Sequence, residues 1–163
     1  MAQQMQAAPA APAVALIADP APLGLAGFAL TTFMLSGHNV GFIPDLIWVG
    51  LAFFYGGVAQ FAAGMWEFRR GNTFASTAFS TYGGFWLSLA TFLVLILAGK
   101  IPTTGAGAVN ITAALGWFLF AFFIFNTYMM LWSTRISLAV FGVFLTLEVT
   151  ELLLWIGAFA GNG

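Results

Sequence analysis

Residues 78–99 read AFSTYGGFWLSLATFLVLILAG, without a single charged side chain, and the run closes on Lys100. About 20 consecutive apolar residues carry an α-helix across the hydrocarbon core of a bilayer. The stretch therefore predicts a membrane-spanning helix. Outward from it the same pattern recurs at 22–42, 45–68, 108–132 and 136–160, separated by Pro, Gly, Asn and charge. Of the 163 residues, 61% are hydrophobic and only 6% charged. A soluble domain sets aside about 25% of its residues as charge to wet its surface, which this chain cannot match. The expected fold is an all-α membrane protein, a bundle of five transmembrane helices in one domain over 19–163. A membrane β-barrel would need short alternating strands, and the runs are too long for that. Residues 1–18, MAQQMQAAPAAPAVALIA, are biased to Ala, Pro and Gln and read as a disordered tail. They lack the basic start of a secretory signal.

Composition excludes several classes of chemistry. Cysteine is absent, so neither disulfides nor thiolate metal sites are expected, and His38, the lone histidine, leaves no multi-histidine metal site. No basic patch suits nucleic acid, and no cofactor motif is seen. With no mid-membrane Ser/His pair, metal-ligand cluster or phosphate loop, an enzyme is not expected. Basic residues flank the cytoplasmic ends of helices. Arg69, Arg70 and Arg135 fall in loops on the side of the N-terminus, and Lys100 falls opposite. The N-terminus is therefore expected inside the cell. Small residues spaced by four, Gly37/Gly41, Ala52/Gly56, Ala59/Ala63 and Gly157/Gly161, suit close helix packing.

The first span opens on DPAPLGLAGFALTT, residues 19–32. Pro20 and Pro22 are tolerated there because the first N–H groups of a helix have no internal partner. Asp19 is placed to cap those donors. Gly24 and Gly27 let a second helix or a solute approach the backbone. Other polar residues stand out against the apolar background. His38 and Asn39 end the first span, and His38 is either a packing histidine or a proton-exchanging group. EFRRGNTF sets Glu67 beside Arg69 and Arg70, either as an anchor at the boundary or as a vestibule that concentrates anions. LTLEVTELLLW puts Glu148 and Glu151 three apart, on one face of the fifth span. Acidic residues at such depth are costly, about 2.5–3.5 kcal/mol on insertion scales. They read either as a polar contact between subunits or as proton-coupling groups facing a wet cavity, selecting for a cation or a neutral species.

DPAPLGLAGFALTT resembles the Asn-Pro-Ala-Pro-Leu-Gly-Leu signature of the acetate uptake transporter family. That family includes bacterial acetate–succinate carriers and yeast acetate/ammonia export proteins. The signature positions here are Asp19, Pro20, Pro22, Leu23 and Gly24. HNVG at 38–41 and FYGGVAQFAAGMWEFRRGNTFASTAFSTYGGFWLS at 54–88 carry the resemblance onward. It implies a homo-hexamer in the plasma or inner membrane, with a solute path through each protomer. It further implies an apolar constriction at Phe28, Tyr82 and Leu147, and small monocarboxylates, chiefly acetate and in some members succinate, as solutes. Three departures stand out. The family has six helices, whereas this sequence stops at IGAFAGNG, about where the loop to a sixth would begin. Asp19 replaces asparagine. Glu148 and Glu151 replace a threonine and an apolar residue.

A path for acetate must hold the carboxylate without trapping it, and neutral donors do that better than a buried arginine. The candidates are Thr31, Thr32, Asn39, Gln60, Asn72, Thr73 and Ser76. Thr31 and Thr32 could instead bond their own helix backbone, and Gln60 could bridge helices. The expected function is a proton-linked transporter or channel for acetate and related monocarboxylates. The rivals are a channel for a neutral solute such as ammonia or urea, and a non-transporting subunit or sensor.

Overall fold

The computed structural model describes residues 17–44 and 46–161, so most of the expected tail lies outside the described residues. Five helices follow one another: α1 (Ala21–Asn39), α2 (Trp48–Arg70), α3 (Thr73–Leu97), α4 (Ile111–Ser133) and α5 (Leu138–Phe159). The all-α expectation holds, and α2 to α5 are each long and apolar enough to cross a membrane. Helix α1 differs. Its 19 residues reach about 28 Å at 1.5 Å per residue, but its Gly, Thr, Ser, His and Asn make it less apolar than α3, α4 and α5.

The expected boundaries hold to within three residues except at α3, which begins at Thr73 and not at 78. The polar run TFASTAF looks like a loop in sequence, yet the Asn72 side chain accepts the Ala75 N–H at 3.2 Å and caps a helix that starts there. Just before it, Gly71 closes α2 in the left-handed region at φ 79°. The Gly71 N–H donates to the Phe68 carbonyl and the Asn72 N–H to that of Glu67, which satisfies two end carbonyls of α2. Two residues therefore turn the chain, and α2 and α3 lie side by side. Asn110 and Ser137 cap α4 and α5 in the same way as Asn72 caps α3.

Helices α1, α2 and α3 pack as one group, α4 and α5 form a hairpin, and the two groups meet along α3 and α4. Their joint core is aromatic, with Trp48, Tyr82, Phe85, Trp86, Met129 and Phe144 buried. Within α2, residues Phe54–Ala59 form a π turn. Such an inserted residue shifts the downstream face by about 100°, so Gln60 does not sit where a uniform helix would put it. Of the small-residue pairs, Ala52/Gly56 lies in a helix contact, and a Cβ on Gly56 would meet Thr31 Oγ1 at 2.7 Å. Gly37/Gly41 and Gly157/Gly161 are not helix seams, because Gly41 and Gly161 sit in left-handed turns at φ 85° and 76°. The outer surface, with Leu138, Leu153, Phe54 and Trp117 exposed, is as apolar as a bilayer requires.

Candidate functional site

Between the two helix groups lies a cavity of about 200 Å³. Phe28 reaches it from α1, Gln60 from α2, Tyr82 from α3 and Leu147 from α5. The three residues of the implied constriction therefore share one space, and Gln60 joins them. The Phe28 and Tyr82 rings meet edge to face with centroids 5.5 Å apart, the arrangement aromatic quadrupoles favour. The remaining wall is almost wholly apolar, and Asn72 marks one end.

The other polar candidates lie elsewhere. Thr31 is fully buried against Gly56 and Trp86, away from the lining, and Thr32 is half-buried. Neither hydroxyl has a hydrogen-bond partner among the described residues, so neither makes the backbone bond considered for it. Ser76 is buried and donates to the Thr73 carbonyl, while Thr73 itself is exposed at the start of α3. Asn39 is exposed at the far end of α1, and beside it the His38 ring lies 6.3 Å from that of Trp48. Of the seven neutral candidates, only Gln60 and Asn72 line the cavity. Gln60 makes no bridge between helices: it is 1% exposed, and its side-chain carbonyl has no partner among the described residues.

At the Asn72 end, Arg70 donates to Asp19 and lies 3.4 Å from Glu67. Asp19 also accepts the Ala21 N–H at 3.0 Å, as expected for a capping residue. That hydrogen bond, and then the Arg70 guanidinium, hold the Asp19 carboxyl below the usual carboxylate range. Arg69 is exposed. The motif thus ties the start of α1 to the end of α2, with Glu67 fully buried between them.

Glu148 and Glu151 do not face the cavity, contrary to one reading of them. They turn toward α4, behind Tyr82. Asn126 Nδ2 donates to Glu148 Oε2 and Thr127 Oγ1 to Glu148 Oε1, both at 2.6 Å. The Tyr82 hydroxyl donates to Asn126 Oδ1 at 2.8 Å and lies 3.4 Å from Glu151 Oε1. The reason is complementarity, since α4 presents an amide and a hydroxyl that reach Glu148 across the hairpin. Sequence reasoning passed over Asn126 and Thr127. The signal was an asparagine in the middle of an apolar span, where polar residues are costly and rarely idle.

Apolar helices around a partly open cavity with no charged lining residue, and a polar network of Tyr82, Asn126, Thr127 and Glu148 behind it, define a helical membrane protein with a site between its helices. The chain belongs to the GPR1/FUN34/yaaH family, which it matches over residues 1–163. It is 46% identical over 149 residues to acetate permease A of Emericella nidulans, covering 86% of this chain and 49% of that protein. It is 40% identical over 147 residues to the succinate-acetate/proton symporter SatP of Escherichia coli, covering 90% of this chain and 75% of that one. A solved structure of the bacterial acetate channel SatP is similar at a TM-score of 0.81 and 40% identity, over 90% of this chain and 78% of that chain. The chain spans about half the length of the Emericella permease. These relatives are named as transporters and channels.

Proposed function

We propose that this protein is a transporter or channel for acetate and related small monocarboxylates, with proton-linked movement through each protomer. The observation that carries the reading is the meeting of Phe28, Gln60, Tyr82 and Leu147, from four helices, on one cavity. The aromatic and leucine side chains strip water and receive the methyl group, and Gln60 receives the polar end. The names of the relatives agree with this assignment. By the family resemblance the protein works as a homo-hexamer in the cell membrane and not as an enzyme, and Arg69, Arg70 and Arg135 set its N-terminus inside. Glu148 and Glu151 bias the path against anions when they are ionised, so Glu148→Gln or Glu151→Gln shifts the pH dependence of uptake. His38 and Asn39, outside the cavity, take part only at the far end of α1.

The full chain in proteoliposomes tests the assignment. Labelled acetate should enter above the protein-free level, with unlabelled acetate competing and urea and ammonium not competing. Flux of ammonia or urea without acetate would move the assignment to a neutral-solute channel. No flux of any of these would make the chain a non-transporting subunit.

A further inference from the structure

We propose that the species held in the cavity is the neutral carboxylic acid and that Gln60 recognises its protonated carboxyl group. The proton then crosses on the substrate. This deepens the monocarboxylate reading above and rests on it.

The first argument is charge. None of the residues lining the cavity is charged. Arg70, two positions before the lining residue Asn72, is already bridged to Asp19 and to buried Glu67. A carboxylate entering this space would leave its water without meeting a cation, and an unpaired ion in such surroundings is strongly disfavoured.

The second is the inventory of protons. A tyrosine hydroxyl has one proton to give, and that of Tyr82 goes to Asn126 Oδ1. The wall at Tyr82 therefore offers no donor. Behind it, Glu148 has both oxygens engaged by Asn126 and Thr127. Glu151, 3% exposed, has one oxygen with no partner among the described residues. Whichever of these two carboxyl groups is ionised repels an anion from the back of the ring and leaves a neutral molecule unaffected.

The third is the shape of Gln60, which sits with Phe28, Tyr82 and Leu147 on the cavity. The other polar lining candidate, Asn72, is at its end with its side-chain oxygen given to the Ala75 N–H. The Gln60 side chain presents a carbonyl without a partner beside an amide N–H₂. A carboxyl group in its acid form has one O–H and one C=O, the complement of that pair whichever way the amide is turned. A carboxylate has acceptors only and would leave the Gln60 carbonyl orphaned, which is costly for a buried group.

The test is uptake of labelled acetate by the full chain in proteoliposomes, with the protein-free rate subtracted and the membrane potential clamped. Acetamide, a non-ionising mimic of acetic acid with both a donor and an acceptor, serves as competitor. At fixed pH, uptake should be the same at inside-positive and inside-negative potentials, and acetamide should compete. In Gln60→Leu, acetamide competition should weaken about tenfold relative to wild type, a loss of roughly one good hydrogen bond. Saturable acetate uptake that rises with inside-positive potential, or that acetamide does not touch, would overturn the inference and leave the monocarboxylate reading standing. No saturable acetate uptake at any pH would remove both. The potential and acetamide measurements use the wild-type chain, so the inference stands or falls even if Gln60→Leu does not fold.

Discussion

The two helix groups hold together by different physics. In the group of α1, α2 and α3, backbones come so close that side chains are excluded. A Cβ on Gly27 would lie 2.7 Å from the Tyr55 carbonyl oxygen, and one on Gly83 would lie 2.7 Å from Phe61 Cβ and 2.8 Å from its Cα. In the α4–α5 hairpin a Cβ on Gly116 would meet only the Phe159 ring, at 3.1 Å, and the glycines at 142 and 157 touch nothing. Cohesion there comes from aromatic contacts such as Phe120 on Trp155, 5.3 Å between centroids, and from the Glu148 carboxylate held by Asn126 and Thr127. Lipid tails are as apolar as leucine, so a membrane bundle gains little by hiding apolar surface. It must rely on close packing or on polar bonds, and this chain assigns one to each half. The cavity lies at the joint, where neither device fills the space.

The sharpest break in that comparison is Asn126→Leu. It strips Glu148 of one of its donors and leaves the Tyr82 hydroxyl only the longer contact to Glu151 Oε1, all at a position with no solvent exposure. One orphaned carboxylate oxygen and one weakened hydroxyl bond should cost about 2–4 kcal/mol, read as a lower thermal unfolding midpoint in detergent. Adding Glu148→Leu should recover part of the loss, because removing both partners leaves less unpaired. If the double variant is as unstable as the sum of the singles, the hairpin is not held by its polar bonds. Next comes the glycine seam. Gly83→Ala forces backbone apart and should cost about 1–3 kcal/mol, whereas Gly84→Ala, with nothing within 4 Å, should change little. Equal midpoints for these neighbours would show that the α2–α3 approach is looser than described.

These halves were not equally legible in the sequence. The helices themselves follow from apolar runs such as 78–99 and 136–160, since each run has the length of a bilayer. The close seam was partly readable, because Gly24 and Gly27 open α1 without side chains, although the partners they admit, the Phe79 ring and the Tyr55 carbonyl, depend on helix rotation. The convergence of Phe28, Tyr82 and Leu147 came from resemblance, as no periodicity links residues on three helices. The π turn at Phe54–Ala59 hid the direction of Gln60, because it breaks the 3.6-residue phase that face arguments assume. Asn126 went unseen for a related reason. Nothing in a sequence says that an asparagine on one helix meets a glutamate on the next.

Tyr82→Phe probes the joint between the halves with a smaller effect. The ring stays against Phe28, and the hydrogen bond to Asn126 is lost, so stability should fall by about 1 kcal/mol. Acetate uptake should persist, because the hydroxyl proton is committed away from the cavity. A large loss of uptake in a variant of near-normal midpoint would mean that the hydroxyl itself touches the solute.

The smallest effect belongs to the strap that ties α1 to α2. Asp19 is exposed, and exposed ion pairs contribute little, so Asp19→Asn should barely move the midpoint at neutral pH. The pH profile is more telling. The Ala21 N–H and Arg70 hold the folded carboxyl below its unfolded value. The contribution of the strap is therefore fully present above the unfolded value and fades as pH falls through the folded one, below about pH 4. An amide has no proton to gain in that range, so the Asp19→Asn variant should lack that part of the acid loss while keeping whatever the other carboxyl groups contribute. Superimposable acid profiles for wild type and variant would mean that Asp19 is free in solution, and the first helix would then be fixed by its glycine contacts alone.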